Sequence, residues 1–88
     1  MTTSASQRKR QADYIAAVLK RAERGEPVTD PVFAQVINKA RGKETVEIGI
    51  VLDRGLLTLE IPWVSIRETS EHDLAARLLE NMRDEPIH

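Results

Sequence analysis

The sequence predicts a small α+β domain of order α-α-β-β-α, in which a two-stranded antiparallel hairpin packs on three helices. Three observations carry that prediction. Val46, Ile48, Ile50 and Leu52 recur at period two, and so do Leu57, Leu59, Ile61 and Trp63. Successive strand side chains point to opposite faces, so each run has one apolar side. Asp53-Arg54-Gly55 separates the runs with turn residues, which joins them as a hairpin. Before and after the pair, apolar residues recur three and four apart, the spacing of helices with one buried stripe.

In chain order, Ser4 or Ser6 can cap a first helix that reaches about Arg24, and Gly25 is placed to end it. Tyr14, Ile15, Val18, Leu19 and Ala22 form its apolar stripe. Arg8, Lys9 and Arg10 precede that stripe and should be solvated. Asp30-Pro31 reads as an N-cap followed by proline at the first helical position, where the missing N–H costs nothing. Val32, Phe33, Val36, Ile37 and Ala40 line this second helix, and Gly42 closes it. After Trp63 the chain is expected to continue extended through Val64 and Ile66. Ser70-Glu71-His72-Asp73 resembles a capping box that opens the last helix. Leu74, Ala75, Leu78, Leu79 and Met82 supply its stripe, and Pro86 stops it.

A two-residue turn at Arg54-Gly55 sets Ile50 opposite Leu59 and Ile48 opposite Ile61. An odd loop would set Ile50 opposite Thr58 and mix the faces, which burial penalises heavily. Such a sheet has two open edges and is marginal on its own. Its second face carries Val51, Leu56, Pro62 and Val64 beside Glu47, Thr58 and Glu60. The expectation is that an edge pairs with a second copy, giving a continuous sheet across a two-fold axis and a homodimer. The alternatives are strand addition by a partner protein and a monomer that covers its edge with residues 64–69.

At 88 residues, 41% hydrophobic and 31% charged, the chain suits a single domain with one modest core, residues 1–5 and 85–88 being frayed ends. Tyr14, Phe33 and Trp63 are its three aromatics, so packing rests on Ile, Leu, Val and Ala. The absence of cysteine excludes disulfides, thiolate metal sites and cysteine nucleophiles. No apolar run approaches the ~20 residues of a membrane span. The first residues lead into charges rather than a signal-peptide apolar region, so a cytoplasmic location is expected.

The net charge of −1 hides an asymmetry: residues 1–43 carry +5 and residues 44–88 carry −6. That polarity marks either a polyanion-binding half or two halves that attract one another. On the basic side, Gln35, Asn38, Lys39 and Arg41 share the outward face of the second helix and Lys43 follows. These side-chain types read base edges and grip phosphates. Arg54 at the hairpin tip and Arg8, Lys9 and Arg10 complete a candidate nucleic-acid surface. Against it stand an acidic pI of about 6.1 and a connector longer than a helix-turn-helix allows. On the acidic side, Glu68, Glu71, Asp73, Glu80, Asp84 and Glu85 surround the last helix and could dock on a basic partner.

Chemistry is sparse. His72 is the one histidine inside a predicted element, and Glu71 and Asp73 beside it suit a helix N-terminus. No paired metal-ligand histidines, phosphate-cradling glycine loop or nucleophile elbow occurs. The expectation is therefore a small non-enzymatic regulatory or inhibitory protein acting by protein–protein contact, of the kind encoded by phages or mobile elements. No cofactor, metal or small-molecule substrate is expected. Its candidate contacts are Val51, Leu56, Trp63, Val64, Glu71, Glu80 and Asp84. The alternative is a DNA- or RNA-binding regulator using the basic set.

Overall fold

A computed structural model describes residues 5–52 and 55–83. The elements are α1 (Ala5–Glu23), α2 (Pro31–Ala40), β1 (Thr45–Leu52), β2 (Gly55–Pro62), α3 (Trp63–Glu68) and α4 (Glu71–Arg83). The α+β class and the antiparallel hairpin stand as expected, with one helix more than the sequence predicts.

α1 buries Ala12, Ile15, Ala16, Leu19 and Ala22 in the core. Tyr14 departs from the expected stripe and sits on its rim, 48% exposed. The helix already includes Ser6, and Ser4 lies outside the described residues. Its end is a Schellman turn: Gly25 adopts φ 84°, its N–H donates to Ala22 O, and the Glu26 N–H donates to Arg21 O, both at 3.0 Å.

α2 begins as its cap predicts. The Asp30 carboxylate accepts from the N–H groups of Val32 and Phe33 at 2.9 and 3.2 Å, and Pro31 fills the first helical position. Ile37 and Ala40 are buried, whereas Val32 is exposed and leaves the predicted stripe. α4 opens with the Asp73 N–H donating to Ser70 Oγ at 3.1 Å, and it buries Leu74, Ala75, Leu78 and Met82. It lies along α1, while α2 lies on β1.

The hairpin register corrects the sequence reading. Ile48 stands opposite Leu59, Ile50 opposite Leu57 and Leu52 opposite Gly55. The turn positions are therefore 53 and 54, not 54 and 55. The parity argument holds, because Val46, Ile48, Ile50 and Leu52 still share the inward face with Leu57, Leu59 and Ile61. A shift of two residues preserves parity, so burial alone could not choose between the two registers. Gly55, placed in the turn by the sequence reading, instead opens β2 at φ 136°, a conformation that side-chain-bearing residues rarely adopt.

The second correction follows Pro62. Residues 63–68 form a short helix, not an extended continuation, so they add no strand to the two-stranded sheet. Trp63 and Ile66 are one helical turn apart and both turn toward the core, while Arg67 and Glu68 stay exposed. Lys20 of α1 holds this helix. Its ammonium donates to Ile66 O and Thr69 O at 3.0 and 2.8 Å, satisfying carbonyls that a helix end leaves free.

Candidate interaction surface

The two strands receive unequal cover. On β1 the inward residues Val46, Ile48 and Ile50 are all within 2% of complete burial. Their partners on β2, Ile61, Leu59 and Leu57, are only half-buried. α2 packs on β1, and α3 follows directly on β2. A groove of about 270 Å³ remains between β2 and α4, lined by Leu59, Ile61, Leu74, Arg77, Leu78 and Asn81 among others.

Backbone geometry places an open edge beside that groove. The Trp63 N–H donates to Glu44 O at 3.0 Å. The alternation of an antiparallel ladder then makes Val46–Ile61, Ile48–Leu59 and Ile50–Leu57 the hydrogen-bonded pairs. Leu56, Thr58, Glu60 and Pro62 consequently aim their main-chain groups away from β1. Pro62, which has no N–H, falls on this outward side where no ladder bond is lost. Among the described residues none of these outward groups has a backbone partner. The β1 edge is equally unpaired, but α2 lies along it: Val36, Lys39 and Ala40 border a depression with Thr45 and Glu47.

The outer face of the sheet is bare among the described residues, and its two ends differ. Near the turn, Val51 and Leu56 stand opposite one another, 75% and 67% exposed. Leu56 also leans over Gly49, where an added Cβ would meet its Cδ1 at 3.3 Å. Toward the other end, Glu47 faces Glu60 directly, a like-charge pair that weakens a sheet.

The remaining contact candidates scatter. Trp63 packs on the core from the start of α3, and its Nε1–H donates to Ala40 O at 3.2 Å. Val64 belongs to α3 and not to the sheet face. Glu71 and Glu80 are nine residues apart on α4, which puts them on opposite sides of the helix; Asp84 lies outside the described residues. Val51 and Leu56 are thus brought together as cross-strand partners.

The basic candidates divide into two groups. Gln35, Asn38, Lys39, Arg41 and Lys43 are exposed along α2 and just beyond it. Arg41 and Lys43 share a recess of about 360 Å³ with Trp63 and Arg67, whose Nε donates to Glu23 Oε1 at 2.8 Å. Arg10 instead shares a recess with Tyr14 and Val51. Ala22, which borders the first recess, lies twelve residues further along α1, roughly 18 Å away. Lys9 is tied to Asp13 at 3.1 Å, and Arg8 is half-buried. Arg54 lies outside the described residues. His72 is exposed in the first turn of α4.

Asp30 ties α2 to α1. The Tyr14 hydroxyl donates to its second oxygen at 2.8 Å, and the Tyr14 ring meets Phe33 edge-on at 5.7 Å. That hydroxyl, followed by the Phe33 N–H, holds the Asp30 carboxyl below its ordinary pKa; the same bond pushes the Tyr14 phenol up. The groove, the Lys20 anchor and the Trp63 bond are features the sequence reading did not find. Among the described residues no helix is long and apolar enough to cross a membrane. No family model matches this chain, and no curated protein or solved structure shows significant similarity to it.

Proposed function

We propose that this chain is a non-enzymatic regulatory protein that works by protein–protein contact and assembles as a homodimer through an open strand edge. The observation that carries the reading is the unfinished hairpin. One strand has an unpaired backbone and a half-covered apolar side, and the sheet's outer face presents Val51 and Leu56 to solvent. Exposed edges of this kind are templates for another chain. In this reading the edge joins two copies, and the Val51–Leu56 end of the outer face meets the regulated protein.

Two measurements test it. Sedimentation over a concentration series should give twice the 9.9 kDa chain mass at high concentration. A value of 9.9 kDa throughout would remove the homodimer. Affinity capture from the native host should retain a protein that the Val51→Asp, Leu56→Asp variant does not retain. Capture of nucleic acid only would sink the protein-contact reading.

A second reading, nucleic-acid binding, is favoured by one observation: Lys39, Arg41 and Lys43 are exposed and make no ion pair among the described residues. In that reading affinity falls steeply with salt, by the number of phosphates neutralised. Unchanged nucleic-acid affinity in Lys39→Glu, Arg41→Glu would end it.

A further inference from the structure

We infer that the homodimer forms through β2, by antiparallel pairing of β2 with β2 of a second copy about a two-fold axis at Leu59. This rests on the homodimer reading above and adds the edge, the register and the surface that is buried.

The edge follows from what a partner strand would cover. A strand added to β1 gains little, because Val46, Ile48 and Ile50 are already enclosed and α2 occupies the flank. A strand added to β2 meets half-buried Leu57, Leu59 and Ile61 and the groove beneath them. Completing the cover of these side chains is the apolar gain that association needs.

The register follows from face and charge. Only an even sum of paired residue numbers keeps Leu57, Leu59 and Ile61 of both copies on the same inward side. Centring on Glu60 would place two carboxylates face to face, which is destabilising. Centring on Thr58 sets each Glu60 opposite the exposed Leu56 of the other copy. Centring on Leu59 sets Thr58 opposite Glu60, Leu56 opposite Pro62, and Leu57 opposite Ile61. The apolar positions then meet apolar positions on both faces. The outward N–H and C=O groups of Thr58 and Glu60 complete the ladder, and the missing Pro62 N–H falls at its margin.

Helix α4 is suited to the same axis. Asp73, Arg77 and Glu80 follow the i, i+4, i+7 spacing of one helix side, all exposed, with Arg77 on the rim of the groove. Arg77 makes no ion pair among the described residues. Two such helices brought together antiparallel across the axis offer each Arg77 a carboxylate of the other copy. The minus-plus-minus stripe is self-complementary, as an isologous contact requires.

The chain contains no cysteine, so a single introduced thiol reports the pairing without background. In the proposed register Leu59 faces its own copy in a non-hydrogen-bonded pair, about 4.5 Å between Cα atoms. That lies inside the span of roughly 4.4–6.8 Å that a disulfide bridges. Under mild oxidation Leu59→Cys should become a covalent dimer, while Glu47→Cys on the β1 edge should remain unlinked. Thr58→Pro, which keeps an edge-compatible backbone but removes two interchain N–H donors per dimer, should weaken association at least about tenfold. Its far-UV circular dichroism should match the parent.

A wild-type mass of 9.9 kDa at every concentration overturns this pairing together with the homodimer. A dimer that links through Glu47→Cys and not Leu59→Cys overturns the β2 pairing and leaves the homodimer standing. So does a dimer indifferent to Thr58→Pro.

Discussion

β1 and β2 are eight residues each, carry the same apolar alternation and pair along their whole length, yet they live in different surroundings. The inward side chains of β1 are enclosed from Val46 to Leu52, whereas those of β2 are half open. Alternation therefore reports which face of a strand is inward and says nothing about how much cover that face receives. Cover is set by the neighbours. α2, pinned at its start by Asp30 and Tyr14, packs on β1, while an open groove lies between β2 and α4.

The sharpest way to break that comparison is to truncate one member of a cross-strand pair at a time. Ile48, 1% exposed, and Leu59, half-buried, stand directly opposite one another. Ile48→Ala should lose about 3–4 kcal/mol, because it empties a site with no room to collapse. Leu59→Ala should lose only about 1 kcal/mol, since part of that side chain is already in water. Urea unfolding at high dilution, where association contributes nothing, measures both. Equal losses would show that the two strands are equally covered and would remove the distinction.

The β2 side has its own weak point. Lys20 joins α1 to the short helix that follows β2, beside the Arg67–Glu23 ion pair, and its ammonium satisfies two carbonyls there. Replacing it with methionine keeps the packing of the stem and removes both hydrogen bonds. A loss of about 1.5 kcal/mol is expected, with amide exchange accelerating in residues 63–69 ahead of β1. Acceleration confined to α2 would mean that Lys20 does not hold that helix.

The β1 side can be probed by pH through its α2 clamp. Asp30 has a folded pKa below its unfolded one, so its contribution is present above the unfolded value and is lost as pH falls through the folded value. Tyr14 is shifted the other way. Its contribution is intact below its unfolded pKa and is lost as pH rises through the raised folded one. Thermal melts should therefore decline at both ends of the pH range. Asp30→Asn should flatten the acid limb and Tyr14→Phe the alkaline limb. An acid limb unchanged in Asp30→Asn would assign the decline to other carboxylates.

Much of the fold was legible because it depends on local signals. Asp30-Pro31, Gly25 and Ser70 each impose a backbone conformation on their own neighbourhood, and each sits where its chemistry places it. The inward parity of both strands was legible for the same reason. The register was not, since a two-residue slip leaves every side chain on its own face. The helix after Pro62 had a signal, the three-residue spacing of Trp63 and Ile66, that the continuing apolar alternation masked. Least legible was the surface. Which candidate residues converge depends on how far α2 and α4 extend over the sheet, a tertiary property with no periodic trace. Val51 and Leu56 were found because period-two parity puts both on the outer face, and the corrected register makes them cross-strand partners. Glu71 and Glu80 share a helix yet face apart.

The smallest expected effect tests whether the outer face is as uncrowded as its exposure implies. Gly49 lies between the buried Ile48 and Ile50, with its outer position roofed by Leu56 rather than by a side chain of its own. Its φ is not positive, so alanine fits the backbone without strain. An added Cβ would approach Leu56 Cδ1 to 3.3 Å, a contact relieved by a small rotation of an exposed, flexible side chain. Alanine also narrows the unfolded ensemble, worth about 0.4–1 kcal/mol at a compatible site. Gly49→Ala should therefore raise stability by about 0.5 kcal/mol in the dilute monomer, measured by urea midpoint at unchanged slope. A loss instead would mean that Leu56 is held against the sheet by a contact the bare outer face does not provide, and that the hairpin tip is covered in solution.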